Sequence, residues 1–286
     1  MNEVVQKAYA KINLALDVLG RRADGYHDVR MVMQTISLCD EIVICKEEQP
    51  GIRLRVDSGS IPTGDTNLAW RAASGVLQRF APTAGISIAL QKNIPVAAGL
   101  GGGSSDAAAV IRGINQLFEL GLSMEEMCEV GVSIGADVPF CLLGGTALAE
   151  GIGEGLTPLM SPPAGRVLLV RPNISVSTRW VYQHLRVDGL KKHPDIDGMI
   201  EAIKDRDMVG ITGRMGNVLE TVTQPRYPVI RAIKQQMQQL GAEKALMSGS
   251  GPTVFAIFAD DDKAGQAYDK MRQMRKEKDI FLTSFV

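Results

Sequence analysis

The sequence predicts an α+β protein of two domains. Strand-like and helix-like stretches follow one another along the whole chain, but without the regular strand–helix–strand order of a doubly wound parallel sheet. The 286 residues suffice for two hydrophobic cores. A segment rich in glycine and proline, residues 144–163, interrupts the periodic stretches near the middle. We therefore predict an N-terminal domain over residues 1–155 and a C-terminal domain over residues 156–286.

The chain is predicted to open with a β-hairpin. Apolar side chains alternate from Tyr9 to Val18, the pattern of a half-buried strand, and they alternate again over residues 29–36. The turn between these runs, residues 20–25, ends in an Asp-Gly pair that is typical of hairpins. Tyr26 and His27 are thus expected at the bend. Further strands are predicted at residues 42–44, 52–56 and 86–90.

Helices fill the rest of the first half. Residues 67–80 have apolar side chains at helical spacing, with polar residues before them that can serve as N-caps. A second helix is predicted over residues 106–120. The third, residues 123–134, begins with Ser123, and Glu126 follows three residues later. This spacing is the signature of a capping box.

The second half repeats the mixture of strands and helices. An apolar strand is predicted at residues 166–170. Strand, glycine turn and strand are predicted across residues 245–258, where Ser248-Gly-Ser-Gly-Pro252 separates two apolar runs. A helix over residues 264–277 and a strand over residues 280–286 are predicted to close the chain. Further helices are predicted around residues 178–186, 195–205 and 228–240.

Composition and charge exclude several functional classes. The 31 Lys and Arg residues balance 32 Asp and Glu residues, so the chain lacks the basic excess of a nucleic-acid binder. Hydrophobic residues make up 45%, too many for a disordered chain. No stretch approaches the ~18 apolar residues of a membrane span, and the first ten residues lack the apolar core of a signal peptide. The four cysteines form no CxxC pair, which disfavours a zinc site and favours free thiols in a reducing, cytoplasmic setting.

The strongest chemical signal is Gly99-Leu-Gly-Gly-Gly-Ser-Ser105, directly before a predicted helix. Glycines let the backbone take positive φ and approach a ligand closely, and a helix N-terminus offers unpaired N–H groups to an anion. The segment lacks the lysine of a Walker A loop. It also lacks the spacing of a dinucleotide-binding loop, because Ser104 or Asp106 stands where glycine is needed. A tight connection that binds no ligand is the alternative interpretation.

Other candidate residues are ambiguous by themselves. Lys11, among apolar strand residues, is either a solvated surface lysine or a buried ammonium that needs an anionic partner. Asp137, within Gly135-Ala-Asp-Val-Pro-Phe140, is either a turn residue or a carboxylate able to accept a proton. The segment Ser248–Pro252 is either a tight hairpin turn or part of a site. Nothing in the spacing pairs Lys11 with Asp137.

Three separated segments together resemble the three motifs of the GHMP small-molecule kinases: Ala10-Lys-Ile-Asn13, the stretch from Pro95 to Ala108, and Ser248-Gly-Ser-Gly-Pro-Thr253. The resemblance implies an N-terminal domain like ribosomal protein S5 domain 2, a ferredoxin-like C-terminal domain, and phosphoryl transfer from ATP. Arg22–His27, the triple glycine and Gly135–Phe140 resemble one branch of the family. That branch phosphorylates the 2-hydroxyl of a cytidine diphosphate-linked methylerythritol on the non-mevalonate route to isoprenoid precursors.

The resemblance also implies a role for each matching residue. Lys11 and Asp137 would be the catalytic pair, in which Asp137 accepts the hydroxyl proton and Lys11 orients the carboxylate. Tyr26 would stack on the cytosine base and His27 would hydrogen-bond its polar edge. The implied substrate-binding residues are Asn13, Tyr26, His27, Thr178 and Tyr182, with Tyr182 preferred to Trp180 for the second face of the base. The implied ATP-binding residues are Asn67, Lys92, Pro95, Gly99, Gly101, Gly102, Gly103, Ser104 and Ser105.

Transfer from ATP also implies Mg²⁺. No carboxylate cluster stands out for this ion, so no protein ligand is assigned. The protein is expected to be a monomer or weak homodimer with a small-molecule substrate and no nucleic-acid or membrane partner.

Three alternative functions compete with this hypothesis. The first is another kinase of the same family, acting on homoserine or mevalonate, and Tyr26 with His27 argues against it because those substrates carry no cytosine. The second is a nucleotide sensor without catalysis, which would have no need of both Lys11 and Asp137. The third is an RNA-associated protein, which the net charge of −1 disfavours.

Overall fold

The computed structural model describes residues 2–59, 61–277 and 279–286. They form two compact units, each assembled from separate stretches of chain. Unit 1 contains the segment up to Ala10, Leu38–Val96 and Gly101–Leu143; unit 2 contains Lys11–Ser37, Ala97–Leu100 and Gly144–Val286. The fold is α+β, as predicted. The expected division at residue 155 describes consecutive domains rather than these interleaved units, and it stays a prediction.

The first four strands are β1 (Glu3–Arg21), β2 (His27–Glu47), β3 (Gly51–Val56) and β4 (Gly85–Gln91). In unit 1 the last part of β2 pairs antiparallel with β4, and β3 pairs parallel with the other edge of β4. Ile88 of β4 therefore lies between Ile44 and Leu54. β1 and β2 are long enough to contribute to both units.

Four helices of unit 1 pack against this sheet: α1 (Leu68–Phe80), α2 (Gly102–Phe118), α3 (Met124–Ile134) and α4 (Val138–Leu143). One apolar cluster joins them to the strands, with buried alanines on the helices and buried isoleucines on β2 and β4. The small side chains allow α2 to lie close to the sheet. The predicted capping box is confirmed, because Ser123 and Glu126 satisfy one another's backbone N–H groups at the start of α3.

In unit 2, β5 (Thr146–Gly151) pairs antiparallel with the first part of β2 and with β6 (Gly155–Leu159). A separate antiparallel sheet has the order β11-β7-β10-β9. Its strands are β7 (Arg166–Val170), β9 (Lys244–Met247), β10 (Val254–Phe258) and β11 (Ile280–Ser284). The short strand β8 (Gly216–Asn217) pairs in parallel with β1.

The helices of unit 2 are α5 (Thr178–His184), α6 (Ile196–Lys204), α7 (Met208–Arg214), α8 (Glu220–Arg226), α9 (Pro228–Gln239) and α10 (Asp261–Met274). α9 and α10 pack on the sheet formed by β11, β7, β10 and β9. This arrangement agrees with the ferredoxin-like expectation. Among the helices that the structure describes, none has the length and apolar character needed to cross a membrane.

Two sequence-based expectations are wrong in detail. β1 is not half-buried, since every residue from Ala10 to Val18 is buried on one face or the other. α2 begins at Gly102, four residues before the predicted start at Asp106. Glycines are poor helix formers, but Gly101 takes the left-handed conformation (φ 70°) and the helix starts directly behind it. The short helices α4, α7 and α8 were not predicted, because six or seven residues carry too little periodicity.

We predict that Gly85→Ala destabilises unit 1 by about 2 kcal/mol, the scale of a steric overlap in a packed interior. A Cβ at Gly85 would lie 1.9 Å from the backbone carbonyl oxygen of Gln49, a main-chain atom just before β3. Urea unfolding measures the effect. Gly64→Ala is the matched control, because a Cβ at Gly64 meets nothing within 4 Å. Equal unfolding midpoints for the two variants would contradict the packing at Gly85.

Candidate active site

The glycine segment ends at the beginning of α2 in unit 1. Gly101 is the N-cap, with φ 70° and ψ 15°, and no side chain caps the helix. Ser105 N donates to Gly101 O at 2.8 Å. The amides of Gly102, Gly103 and Ser104 precede this first intrahelical bond, so they have no acceptor within the helix. With the positive end of the helix dipole they form a site suited to a phosphate.

The two serines of this segment have different environments. Ser105 is buried, and its Oγ donates to the backbone carbonyl oxygen of Tyr9 at 2.6 Å, which fixes α2 to β1. Ser104 is half-buried. Ser104 is therefore the hydroxyl of this pair that can reach a bound ligand.

A buried charged cluster lies under the start of α2. Lys92 Nζ donates to Asp40 Oδ2 and, at 2.7 Å, to Asp106 Oδ2. Asp40 Oδ1 accepts from Asn93 N at 2.5 Å and from Ile94 N at 2.8 Å. The ammonium predicted to line the adenine pocket is thus held by two carboxylates, and the cluster ties β2, the end of β4 and α2 together.

The same cluster shifts the pKa values of its members. Burial raises the pKa of Asp106 to about 7, against the opposing effect of Lys92, and Asp40 adds to the rise. Burial lowers the pKa of Lys92, but Asp106 and Asp40 outweigh it, so the net direction is upward and the ammonium stays charged. Asp106 Oδ1 is buried without a hydrogen-bond partner. The net direction for Asp106 is upward, so this carboxyl keeps its proton to a higher pH than an ordinary aspartate does.

The other two predicted ATP residues of unit 1 are Asn67 and Pro95. Asn67 is the N-cap of α1: its Oδ1 accepts from Ala69 N at 2.8 Å, and its Nδ2 donates to Pro62 O at 2.7 Å. Pro95 is half-buried in the turn that leads from β4 toward the glycine segment.

Asp137 also belongs to unit 1. It lies in the turn directly before α4, is half-buried, and its carbonyl oxygen accepts from Cys141 N at 3.1 Å. The other end of α4 is held by Arg112 of α2, whose Nη1 donates to Cys141 O at 2.7 Å. α2 thus fixes the short helix that carries Asp137 at its beginning.

In unit 2, Lys11 and Asn13 lie next to the third motif. Lys11 is only 5% exposed, which excludes the solvated surface lysine. Its Nζ donates to Asn13 Oδ1 at 3.0 Å. A Cβ at Gly249 would lie 3.7 Å from both of these atoms, so the glycine brings the backbone close to the polar pair. Lys11 is in unit 2 and Asp137 in unit 1, and their pairing stays a prediction.

The segment from Ser248 to Pro252 is a hairpin turn between β9 and β10 and is also bonded to other motifs of unit 2. Ser248 Oγ donates to Gly99 O at 2.9 Å. Asn217 Nδ2 donates to Met247 O and Gly249 O, each at 2.8 Å. The two interpretations of this segment are therefore compatible: a hairpin turn that also holds the backbone beside Lys11.

The predicted base-binding side chains meet in unit 2. The rings of His27 and Tyr182 lie 5.2 Å apart at 42°, whereas Trp180 stacks on His184 at 4.4 Å. Tyr26 is 60% exposed. Burial, followed by the positive charge of Arg21, lowers the pKa of His27, so the imidazole is neutral at pH 7.

Thr178 links this aromatic pair to the third motif. It is the first residue of α5, the helix that carries Tyr182, and its Oγ1 lies 2.7 Å from Ser250 Oγ. The hydroxyl pair sets the position of α5 against the turn between β9 and β10.

Sequence reasoning missed Asp40, Asp106 and the pair formed by Asp17 and His193, whose Nδ1 lies 2.8 Å from Asp17 Oδ1. Only Asp106 carried a signal, because it directly follows the glycine segment. In the part of the chain that the structure describes, no three His, Cys, Asp or Glu side chains are grouped so as to hold a metal ion.

Family models match both halves of the chain. The model for the GHMP kinases N terminal domain matches residues 67–145, and the model for the GHMP kinases C terminal region matches residues 199–277. The chain is 50% identical over 283 residues to 4-diphosphocytidyl-2-C-methyl-D-erythritol kinase of Lachnospira eligens, covering 99% of this chain and 98% of the relative. It is 50% identical over 272 residues to the protein of the same name from Geobacter sulfurreducens, covering 95% and 96%.

Solved structures agree with these matches. A crystal structure of 4-(cytidine 5'-diphospho)-2C-methyl-D-erythritol kinase is 33% identical, with a TM-score of 0.84 and 99% coverage of both chains. The crystal structure of homoserine kinase from Cytophaga hutchinsonii shares the fold, with a TM-score of 0.80. It is 20% identical, and the match covers 100% of this chain and 95% of the homoserine kinase chain.

We predict that Arg21→Gln raises the pKa of His27, because it removes the nearby positive charge that disfavours the imidazolium. Burial is the larger cause and remains, so the pKa stays below the usual value near ~6.5. An NMR titration of the His27 ring protons measures the change. Arg22→Gln is the control, since Arg22 is paired with Asp24 and Asp28. An equal response of His27 to both substitutions would contradict this assignment.

Proposed function

The chain belongs to the GHMP kinase family, and we propose that it transfers the γ-phosphate of ATP to the 2-hydroxyl of 4-diphosphocytidyl-2-C-methyl-D-erythritol, on the non-mevalonate route to isoprenoid precursors. The observation that carries the proposal is the pair of rings formed by His27 and Tyr182. This pair suits a nucleobase, and relatives that share about half of the sequence over nearly the whole chain are named for the cytidine-linked substrate.

The ATP phosphates bind at the start of α2. The free amides of Gly102, Gly103 and Ser104 supply fixed donors, and the Ser104 hydroxyl adds a further one. Because the donors belong to the backbone, the site needs no surplus of basic side chains, in keeping with the net charge of −1.

The cytosine base binds to His27 and Tyr182 of unit 2. The neutral imidazole of His27 has one N–H donor and one acceptor nitrogen, which suits the polar edge of a cytosine. Tyr182 covers one face of the base, and the exposed Tyr26 closes on the other. Base–aromatic stacking stabilises binding by about 1–3 kcal/mol per base.

Asp137 accepts the proton of the attacking 2-hydroxyl. The hydroxyl oxygen forms a bond to the γ-phosphorus while the bond from that phosphorus to the bridging oxygen of ADP breaks, so ADP leaves and the proton passes to the carboxylate. Lys11 orients this carboxylate and stabilises the charge that develops on the transferred phosphoryl group. The burial of Lys11 supports this role, because an ammonium held among apolar strand residues binds an anion more strongly than a solvated one.

Mg²⁺ bound with ATP would neutralise phosphate charge. The described residues include no group of three His, Cys, Asp or Glu side chains that could hold it, and Mg²⁺ commonly keeps phosphate oxygens and water as ligands. We assign it no protein ligand. None of the four cysteines forms a disulfide within the part of the chain that the structure describes, which supports a reducing, cytoplasmic location. We expect a monomer or weak homodimer.

We predict that the purified protein releases ADP from ATP and Mg²⁺ with 4-diphosphocytidyl-2-C-methyl-D-erythritol as acceptor, and not with homoserine or mevalonate. A coupled ADP assay measures this, and phosphorus NMR of the product locates the new phosphate. ADP release with homoserine and none with the cytidine-linked acceptor would overturn the proposal.

Tyr182→Ala and Trp180→Ala form a matched pair for the base site. Loss of stacking should raise the KM for the cytidine-linked acceptor by about tenfold or more in Tyr182→Ala, with the KM for ATP unchanged. Trp180→Ala, in the same helix, should change neither. The reverse pattern would assign the base to Trp180.

We predict that Asp137→Asn lowers kcat by about 10²–10⁴-fold, the range for a lost general base, while the Kd for ATP changes by less than about threefold. Single-turnover kinetics and calorimetry measure the two quantities. Glu129→Gln is the control, because Glu129 is an exposed carboxylate of unit 1 paired with Arg79. An unchanged kcat in Asp137→Asn would remove this residue from the chemistry.

A further inference from the structure

The cluster of Lys92, Asp40 and Asp106 lies against the backbone that the proposed function assigns to ATP phosphates. A Cβ placed on Gly102, the first residue of α2, would be 3.5 Å from Lys92 Nζ. Asp106 is the fifth residue of the same helix, and its side chain is 5% exposed. The charged groups of the cluster thus lie buried next to the amides that the proposed function assigns to the phosphates.

The charge of this cluster changes when Asp106 gains or loses its proton. Asp40 is fully buried and accepts two backbone N–H groups in addition to the ammonium, so its carboxylate is well compensated. Oδ2 of Asp106 accepts a hydrogen bond from the Lys92 ammonium, but Oδ1 is buried and has no hydrogen-bond partner. With Asp106 protonated the cluster is neutral, and with Asp106 ionised its net charge is −1. Burial, Lys92 and Asp40 are the largest causes of the shift at Asp106. The helices α1, α3 and α4 also pack on α2.

A negative side chain near a helix N-terminus interacts favourably with the dipole. An anionic ligand at the same N-terminus competes for this interaction and is repelled by the carboxylate. Ionised Asp106 therefore opposes phosphate binding, and neutral Asp106 does not.

We propose that Asp106 is a positioning residue that couples ATP binding to uptake of a proton: the nucleotide binds preferentially when the Asp106 carboxyl is neutral, and ionisation of Asp106 weakens binding at the start of α2. The proposal rests on the proposed ATP site. Since burial raises the pKa of Asp106 to about 7, affinity for ATP should fall as the pH rises through neutrality.

The test is calorimetric titration of the whole protein with a non-hydrolysable ATP analogue and Mg²⁺ between pH 6 and pH 8.5. Asp106→Asn mimics the neutral carboxyl, and any protonation of the ligand itself is common to both proteins. Wild-type and variant should bind equally at pH 6, and the wild-type should bind about fivefold more weakly at pH 8.5, the scale of one screened like-charge interaction.

Glu277→Gln is the matched control, because it neutralises another half-buried carboxylate, paired with Arg275 in unit 2. It should retain the wild-type dependence on pH. Repeating the wild-type titration at pH 7.5 in two buffers of different ionisation enthalpy should show net proton uptake, which Asp106→Asn reduces.

A carbon-13 NMR titration of the Asp106 carboxyl in the wild-type protein tests the same coupling without any variant. Its pKa should rise when the analogue binds. An Asp106 pKa that is unchanged or lower, or parallel pH profiles for wild-type and Asp106→Asn, would overturn this proposal and leave the ATP site intact. Absence of analogue binding at every pH would overturn the ATP site itself and this proposal with it.

Discussion

Amide N–H groups at the start of α2 have no acceptor within the helix, and the architecture of unit 1 fixes their position. Gly101 takes a left-handed conformation and offers no capping side chain. Ser105 and Arg112 fix α2 to backbone carbonyls of β1 and α4. Because fixed backbone dipoles need no reorganisation when charge develops on a phosphate, this arrangement suits phosphoryl transfer.

In unit 2, polar side chains are buried within an apolar strand. β1 is buried from Ala10 to Val18, so each polar group there requires a partner inside the protein. Lys11 is bonded to Asn13, and Asp17 is bonded to His193. The turn between β9 and β10 brings the Gly249 backbone to Lys11 and Asn13, and Ser250 connects that turn to α5. The turn between β9 and β10 thus lies beside Lys11 and is bonded to the first residue of α5, the helix that carries Tyr182.

Periodicity and capping chemistry located most strands and the longer helices, because those elements depend on local patterns. The boundary of α2 could not be predicted, since it depends on the backbone conformation of Gly101. The half-buried prediction for β1 was wrong because alternation describes one face only, and the opposite face is covered as well. Lys92 and Asp40 are separated by 52 residues, so tertiary packing alone brings the charged cluster together. The roles of His27 and Tyr182 came from family resemblance, because spacing could not join them.

The central claim is that backbone amides at the start of α2 hold the ATP phosphates, and amide NMR tests it most directly. Spectra of nitrogen-15-labelled protein are recorded with and without a non-hydrolysable ATP analogue and Mg²⁺. The amide signals of Gly102, Gly103 and Ser104 should shift downfield as the N–H groups acquire a phosphate acceptor, and their exchange with solvent should slow. Binding that leaves these three signals unchanged while others shift would contradict the claim.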